Sequence, residues 1–342
     1  MKRLSLIFFL VPVLVFALAV ASALAEPVPV TVSIAPQAYF AKRIGGDKVD
    51  VTTMVPPGTD AHTFEPKPSQ MAALQKAKIY FAVGIDFEKA WLPRFADVNK
   101  TMTIVHTDAN IVKMAMVPHA HDHAVETGHD HAAAPEAPGH APDAASPAPP
   151  GQGHDHAAEA DHDHAAEAGQ DHDHHHDHAG LDPHVWLSPA QVKILATAMR
   201  DALIAADPGN TDAYRVGYES LIADIGALDA RLRAIFAPVP PQRRKFMVFH
   251  PAWGYFARQY GLTQVPVERE GKEPGPAQLA ALIDEAKKDG ITVVFVQPQF
   301  STRNAEVVAQ GIGGTVVPVN PLAEDWLANM DKAAAAFQAA MK

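Results

Sequence analysis

Residues 117–180 of this 342-residue chain differ in composition from the sequence on either side of them. They contain 15 histidines, 13 acidic residues and 7 prolines, and neither lysine nor arginine. The tripeptide His-Asp-His occurs six times, and the apolar residues follow no helical or strand period. Such a composition cannot bury enough apolar surface to offset the conformational entropy lost on folding. We therefore expect a disordered, acidic, histidine-rich loop here, and a folded protein built from the sequence on either side of it.

The composition outside this loop is that of a folded protein. Hydrophobic residues make up 48% of the sequence, which excludes wholesale disorder. The formal net charge of −11 belongs to the loop, which alone carries −13, so we expect a folded part without a basic face for nucleic acid. Because the chain has no cysteine, disulfides, cysteine-ligated metals and a lipid-modified cysteine are excluded.

The first 25 residues have the layout of a secretory signal peptide. Basic residues at positions 2 and 3 precede an apolar run over 4–20, and Ala23-Leu24-Ala25 provides a small-residue cleavage site. We expect cleavage after Ala25 and a mature protein that begins at Glu26. The alternative is an uncleaved anchor, since the run is just long enough to span a bilayer. No later stretch has 18 consecutive apolar residues, so we expect a soluble protein of the bacterial periplasm that is not embedded in the membrane.

The remaining sequence alternates between strand and helix patterns, which predicts parallel sheets joined by crossover helices. A long helical pattern opens at Asp207-Pro208 and ends before Pro238. The predicted fold class is α/β with two lobes, each a mostly parallel sheet flanked by helices, joined by one long rigid helix. The predicted domains are an N-terminal lobe over 26–116 completed by 181–206, a connecting helix over 207–238 and a C-terminal lobe over 239–342. Strands are predicted at 30–34, 49–55, 79–83, 102–105, 245–249, 264–267, 291–296 and 315–319, and further helices at 37–44, 69–77, 189–206, 253–260, 276–288, 304–310 and 326–341.

Four histidines lie outside the loop: His62, His106, His184 and His250. His62, His184 and His250 fall in loops or at strand ends, where ligands bind in folds of this kind. We expect these three to share a metal site and His106 to be structural. Three imidazoles suit Zn²⁺, although copper, nickel and iron also accept nitrogen ligands, and Ca²⁺ and Mg²⁺ are disfavoured because they prefer oxygen.

Distinct motifs surround the three histidines. Residues 57–66 read Pro-Gly-Thr-Asp-Ala-His-Thr-Phe-Glu-Pro, residues 182–189 read Asp-Pro-His-Val-Trp-Leu-Ser-Pro, and residues 249–256 read Phe-His-Pro-Ala-Trp-Gly-Tyr-Phe. These segments, together with 273–276 and 297–300, resemble the motifs of cluster A-I solute-binding proteins, which deliver zinc or manganese to ABC importers. The resemblance covers the whole mature chain. It implies two α/β lobes bridged by a long helix, and as partner an ABC permease with its cytoplasmic ATPase; we expect a monomer.

This resemblance also bears on the identity of the metal and of its fourth ligand. Manganese members usually place glutamate where this chain has His250, and zinc-specific members of the ZnuA type carry an acidic, histidine-rich loop where this chain has one. We therefore expect Zn²⁺ as the transported ligand. Relatives supply a fourth ligand from an aspartate near 299–303 or a glutamate before the first histidine, but this chain has no acid in the former stretch and Ala61 at the latter position. The candidates for the fourth ligand are therefore water, Asp60 or a loop histidine.

The histidine-rich loop is predicted to be an auxiliary metal-binding element. Histidine-rich tracts bind metal, and a flexible segment must be ordered on binding, so its affinity should be lower than that of the three-histidine site. The loop would capture zinc and pass it on, or sense it; a solvated spacer is the alternative. The candidate weak ligands are His119, His121, His123, His129, His131, His154, His156, His162, His164, His172, His174, His175, His176 and His178.

Two other functions are compatible with three histidines. One is a stand-alone periplasmic zinc buffer or metallochaperone without an importer. The other is a zinc hydrolase, since three histidines and a water also form a catalytic zinc centre. The sequence lacks the H-E-x-x-H motif and marks no acid as a general base. We therefore expect a binding protein rather than an enzyme.

Overall fold

The computed structural model describes residues 26–116, 180–268, 272, 274–300 and 302–342. The expected signal peptide, the expected disordered loop up to residue 179 with all its candidate histidines, and Glu273 lie outside these residues. The strands are β1 Val28–Val32, β2 Val49–Thr53, β3 Ile79–Ala82, β4 Thr103–His106, β5 Lys245–Val248, β6 Thr263–Pro266, β7 Val293–Val296 and β8 Thr315–Pro318. The helices are α1 Ala35–Gly45, α2 Pro68–Leu74, α3 Asp86–Val98, α4 Pro189–Ala206, α5 Thr211–Phe236, α6 Gly254–Tyr260, α7 Pro276–Lys288, α8 Arg303–Ile312 and α9 Trp326–Ala340.

The strands form two four-stranded sheets with the same topology. The order is β2-β1-β3-β4 in one sheet and β6-β5-β7-β8 in the other, and every pair of neighbouring strands is parallel. We call the first sheet with α1–α4 the first lobe and the second sheet with α6–α8 the second lobe. The central strands are almost wholly apolar, which is typical of parallel strands covered on both faces. This architecture confirms the predicted two-lobed α/β fold class.

Helix α5 joins the lobes. Its buried side chains include Leu221, Ile225, Leu228 and Leu232, spaced three or four residues apart, so they form one apolar stripe. The stripe packs against α1 and α4 of the first lobe and against α9. The predicted start at Asp207-Pro208 is occupied by a short 3₁₀ turn, and the α-helix itself begins three residues later.

The C-terminal helix α9 ties the second half of the chain to the first lobe. The Trp326 ring lies edge-on to Phe40 of α1, with ring centroids 5.2 Å apart. The Trp326 indole donates to the carbonyl of Trp186 at 2.7 Å, and the Trp186 indole donates to the carbonyl of Pro321 at 2.8 Å. All three aromatic side chains are buried, and Phe337 of α9 stacks on Phe246 of β5 with ring centroids 4.4 Å apart, so α9 holds the two lobes against one another. Among the described residues, no helix is both long enough and apolar enough to cross a membrane.

Helix α3 is the one element that the sequence pattern does not indicate. Pro93 lies inside it and interrupts the pattern expected of a helix, because proline lacks the N–H of an internal helical bond. Its few buried side chains are Phe87, Glu88 and Phe95, so it presents only a weak apolar stripe. The other predicted elements are present, with ends that differ by a few residues.

We expect Gly217→Ala to destabilise the protein by about 1–3 kcal/mol, because the new methyl group would overpack a close helix contact. A Cβ at Gly217 of α5 would clash with the main-chain carbonyl of Ile44 and lie 2.8 Å from that of Arg43, both in α1. Urea unfolding measures the change. Gly226→Ala in the same helix is the matched control, since nothing lies within 4 Å of its added Cβ. The control should be neutral or more stable by up to about 1 kcal/mol, and equal losses in both variants would contradict the close contact.

Candidate metal centre

The three predicted histidines come from three separate loops. His62 lies in the turn-rich segment between β2 and α2, and His250 follows β5 by two residues. His184 directly precedes the 3₁₀ turn that leads into α4, whose first turn is capped by the Ser188 hydroxyl accepting from Gln191 N. His62 and His250 thus lie beyond the carboxyl ends of parallel strands, the edge at which α/β proteins bind ligands.

The structure brings the three side chains together with one nitrogen each facing a common point. The Nε2 atom of His184 lies 3.2 Å from Nε2 of His62 and 3.3 Å from Nε2 of His250. Zn²⁺ in tetrahedral geometry, with bonds of about 2.0–2.1 Å, places its nitrogen ligands about 3.3 Å apart. The spacing therefore fits a tetrahedral metal ion. Within the described residues, these histidines form the one group of three or more potential ligand side chains whose atoms all lie within 4.8 Å of one another.

A carboxylate lies behind each imidazole. Nδ1 of His62 is 2.8 Å from Asp86 Oδ2, Nδ1 of His184 is 2.7 Å from Asp182 Oδ1, and Nδ1 of His250 is 2.9 Å from Glu268 Oε2. An acceptor at Nδ1 favours the tautomer with its proton there and leaves the lone pair of Nε2 for a metal. All three histidines thus have the same orientation relative to the shared point, with Nε2 inward.

Of these three acids, only Asp182 belongs to a motif that the sequence marked. Asp86 is the first residue of α3, the helix that the sequence pattern does not indicate, and Glu268 follows β6 by two residues. The available signal was an acid close to the end of a predicted strand, where the sheet gathers its functional side chains. The hydrogen bond from His62 holds the pKa of Asp86 well below its ordinary range, and Lys89 contributes in the same direction.

Burial keeps the central histidine neutral. His184 is 2% exposed, and the loss of solvent lowers its pKa to about 4, despite the opposing effect of Asp182. The neighbouring imidazoles of His62 and His250 lower it further. At neutral pH the Nε2 atom of His184 therefore has no proton that a metal would need to displace.

His250 is held on two further sides. The buried Gln297 amide accepts from His250 N at 3.2 Å and donates to His250 O at 2.7 Å, which fixes the backbone of the histidine. The Phe300 ring stacks on the imidazole, with centroids 4.9 Å apart and planes inclined by 23°. Gln297 and Phe300 belong to the 297–300 motif, so the structure gives this motif a role in orienting His250.

Asp60 and His106 do not join the group of three histidines. The Asp60 carboxylate accepts from His62 N at 2.9 Å and from the Thr63 hydroxyl at 2.8 Å, so it shapes the turn that carries His62. His106 lies at the end of β4 and is exposed. It is not a member of the three-histidine group, and its structural role stays a prediction.

A buried carboxylate anchors the start of α3 and therefore Asp86. Glu88 is 2% exposed and accepts from the Ser33 hydroxyl at 2.5 Å, from Val83 N at 2.9 Å and from Gly84 N at 2.7 Å. Burial raises its pKa to about 7, against the effect of these hydrogen bonds. Two residues earlier in the chain, Asp86 reaches His62, so the network around Glu88 fixes the position of a carboxylate that the site uses.

Comparison with known proteins gives the family. The model of the ZnuA family, described as zinc-uptake complex component A, periplasmic, matches residues 30–340. The chain belongs to the ZnuA family. A crystal structure of ZnuA is 34% identical and covers 93% of this chain and 100% of that one, with a TM-score of 0.73. A crystal structure of a ZnuA deletion mutant with zinc bound is also 34% identical and has a TM-score of 0.72, covering 92% of this chain and 98% of that one.

Curated zinc-binding proteins are also similar to this chain over most of its length. The high-affinity zinc uptake system protein ZnuA of Bacillus subtilis is 27% identical over 297 residues, 84% of this chain and 76% of that protein. The zinc-binding protein AdcA of Streptococcus pyogenes is 27% identical over 303 residues, and the chain spans about half of its length. The ZnuA family consists of periplasmic binding proteins for zinc uptake, not enzymes. The predicted family and the predicted absence of an enzymatic function are thereby confirmed.

We expect Glu88→Gln to change how the stability of the metal-free protein depends on pH. The pKa of Glu88 is about 7 in the folded protein and 4.5 as an ordinary value, so the folded state holds the proton more tightly. Its contribution to the free energy of unfolding should therefore fall as the pH rises from 4.5 to 7, by about 3 kcal/mol in total. Glutamine does not titrate, so the variant should lack this fall.

The measurement is urea unfolding of both proteins between pH 4.5 and 7. Comparison of the two profiles is needed because His184 acts with the opposite sign: its pKa is about 4 folded and 6.5 ordinarily, so its contribution rises over pH 4 to 6.5. This rise is common to both proteins and cancels in their difference. A stability difference that stays constant with pH would contradict a raised pKa for Glu88.

Proposed function

We propose that this protein captures Zn²⁺ with the Nε2 atoms of His62, His184 and His250 and delivers it to the permease of an ABC-type zinc importer, which a cytoplasmic ATPase drives. The observation that carries the proposal is the set of three inward Nε2 atoms, with separations of 3.2 and 3.3 Å from His184, each opposite a carboxylate-bound Nδ1. The ZnuA family provides the transport context, because its members are the binding components of zinc uptake systems.

The donor set supports zinc over the other common divalent cations. Imidazole nitrogen is a poor match for Ca²⁺ and Mg²⁺, and three nitrogens in a compact tetrahedral arrangement favour Zn²⁺ over Mn²⁺. Zinc is also the metal named for the deletion mutant of the 34% identical ZnuA. Asp60 already accepts two hydrogen bonds within its own turn, so we assign the fourth ligand to water or to a histidine of the 117–180 loop.

Delivery requires the ligands to separate. His62 and His184 belong to the first lobe and His250 to the second, so a movement between the lobes would pull the site apart. The long helix α5 resists bending, and the tryptophan contacts of α9 hold the lobes from one side. We therefore propose that zinc is released by a small opening rather than by a wide hinge motion.

We also propose where the protein works and what its loop does. The precursor is exported by residues 1–25, cleaved after Ala25, and the mature chain acts as a monomer in the periplasm. The 117–180 loop binds further zinc weakly and raises its local concentration near the site. These proposals rest on the sequence layout and on the periplasmic family.

The direct test of the site is competitive zinc titration of the mature protein and single-histidine variants. We expect one tight zinc in the wild type, a loss of at least tenfold in affinity for His62→Ala and His250→Ala, and no displacement by Mn²⁺. His106→Ala is the matched control, because it removes an exposed histidine outside the site. Unchanged affinity in His62→Ala and His250→Ala would contradict the site.

Delivery is tested in a strain that lacks this protein and is starved of zinc. The wild-type gene should restore growth, whereas His62→Ala should not, because zinc that is not captured cannot be handed on. Restoration by His62→Ala would contradict delivery through this site. Tight zinc binding in vitro without any restoration by the wild type would favour the stand-alone buffer.

Deletion of residues 117–180 separates the loop from the site. We expect the deletion variant to keep the tight zinc and to bind fewer zinc ions in total, since the loop adds weak sites. Elemental analysis at saturating zinc measures the stoichiometry, and chelator competition measures the affinity of the tight site. An unchanged stoichiometry would contradict zinc binding by the loop. Loss of the tight zinc would place the main site in the loop.

A further inference from the structure

A short antiparallel ladder forms where the chain enters and leaves the histidine-rich loop. Met116 N donates to the carbonyl of Gly180 at 2.9 Å, and Asp182 N donates to the carbonyl of Met114 at 2.8 Å. The ladder therefore ends at Asp182, the residue whose carboxylate bonds to Nδ1 of His184.

The last step of this ladder is made through a side chain. In a regular antiparallel ladder, Met114 and Asp182 would exchange two direct hydrogen bonds. One of them is present, but Met114 N donates instead to the Tyr255 hydroxyl at 3.0 Å, and that hydroxyl donates to the carbonyl of Asp182 at 3.0 Å. Tyr255 is buried and lies in the first turn of α6, five residues after His250. Its hydroxyl thus replaces one direct hydrogen bond of the ladder at Asp182, the residue whose carboxylate accepts from His184.

The same turn of α6 also meets the Asp182 carboxylate. A Cβ at Gly254 would lie 2.7 Å from Asp182 Oδ2, so only glycine leaves the carboxylate its present place. The other oxygen, Oδ1, accepts from both the backbone N–H of His184 at 2.9 Å and its imidazole. The first turn of α6 therefore contacts both the main chain and the side chain of the residue that orients the central ligand.

We propose that Tyr255, together with Gly254, is a positioning residue through which the second lobe sets the orientation of His184 in the first lobe. Because α6 follows the segment that carries His250, the third ligand and the support of the second ligand move as one piece. Docking of α6 places the Asp182 carboxylate on His184, and separation of the lobes withdraws that support as well as His250. Binding and release of the metal are thereby coupled to lobe contact at two ligands rather than one. This inference rests on the proposed metal-binding function.

Removal of the Tyr255 hydroxyl changes the hydrogen bonding of the ladder in one of two ways. Met114 N and the carbonyl of Asp182 either pair directly, which draws Asp182 toward Met114, or stay buried without a partner, which is costly. Either outcome disturbs the acceptor of His184 Nδ1. Loss of an acceptor behind a metal-ligating histidine typically weakens metal binding 10–100-fold.

The test uses the full mature chain with Tyr255→Phe, and Tyr218→Phe as the matched control. Tyr218 also uses its hydroxyl in a partly buried hydrogen bond, to the Thr197 hydroxyl at 2.9 Å, but this bond lies between α4 and α5. Chelator competition gives the zinc affinity, and NMR of the imidazole N–H protons reports the hydrogen bond of each histidine. We expect about tenfold weaker zinc binding for Tyr255→Phe and a shifted His184 Nδ1–H resonance, with the resonances of His62 and His250 in place. Tyr218→Phe should match the wild type in both.

Gly254→Ala approaches the same carboxylate without removing a hydroxyl. We expect it to weaken zinc binding and to shift the His184 resonance, whereas Gly226→Ala in α5 should do neither, because its Cβ meets open space. A wild type that binds tightly, with both Tyr255→Phe and Gly254→Ala unchanged in affinity and in the His184 resonance, would overturn this inference alone. A wild type that binds no zinc tightly would overturn the proposed function and this inference together.

Discussion

Three hydrogen bonds from imidazole Nδ1 to carboxylate are the interactions on which the site depends. The Nε2 atom of His184 lies 3.2 Å from that of His62 and 3.3 Å from that of His250 in a largely buried site. At these distances the three Nε2 atoms cannot all carry protons, and the rings cannot rotate freely. The carboxylates of Asp86, Asp182 and Glu268 assign the proton to Nδ1 and fix each ring. With the rings fixed, the lone pairs converge before any metal arrives. The metal therefore meets ligands that need little reordering, which favours tight binding.

The fold explains how each histidine finds its acid. Parallel strands bring their carboxyl ends to one edge, so a loop after one strand lies beside a loop or helix after another. His62 after β2 thus meets Asp86 near the end of β3, and His250 after β5 meets Glu268 after β6. His184 takes its acid from two residues away in its own turn. The second-lobe contacts to Asp182, from the Tyr255 hydroxyl and from Gly254, are those through which we propose that His184 is oriented.

The fold class and the grouping of the three histidines could be predicted from the sequence, because both follow from local patterns. Apolar runs separated by helical periods indicate parallel sheets, and the positions of His62, His184 and His250 in loops or at strand ends predict a shared site. The acids behind the ligands were harder to predict, since Asp86 and Glu268 meet their histidines only through tertiary structure. Asp86 was also obscured by Pro93, which interrupts the pattern of the helix that Asp86 begins. The Tyr255 hydroxyl in the ladder has no sequence signal, because nothing local distinguishes it from a buried aromatic residue.

Anomalous diffraction at the zinc absorption edge, from crystals of the mature chain with one equivalent of zinc, tests the central claim most directly. A single zinc should lie about 2.0–2.1 Å from Nε2 of His62, His184 and His250, with each Nδ1 still bonded to its carboxylate. Coordination through Nδ1 of any of the three would contradict the role of the carboxylates. A principal zinc peak away from these histidines would contradict the site itself.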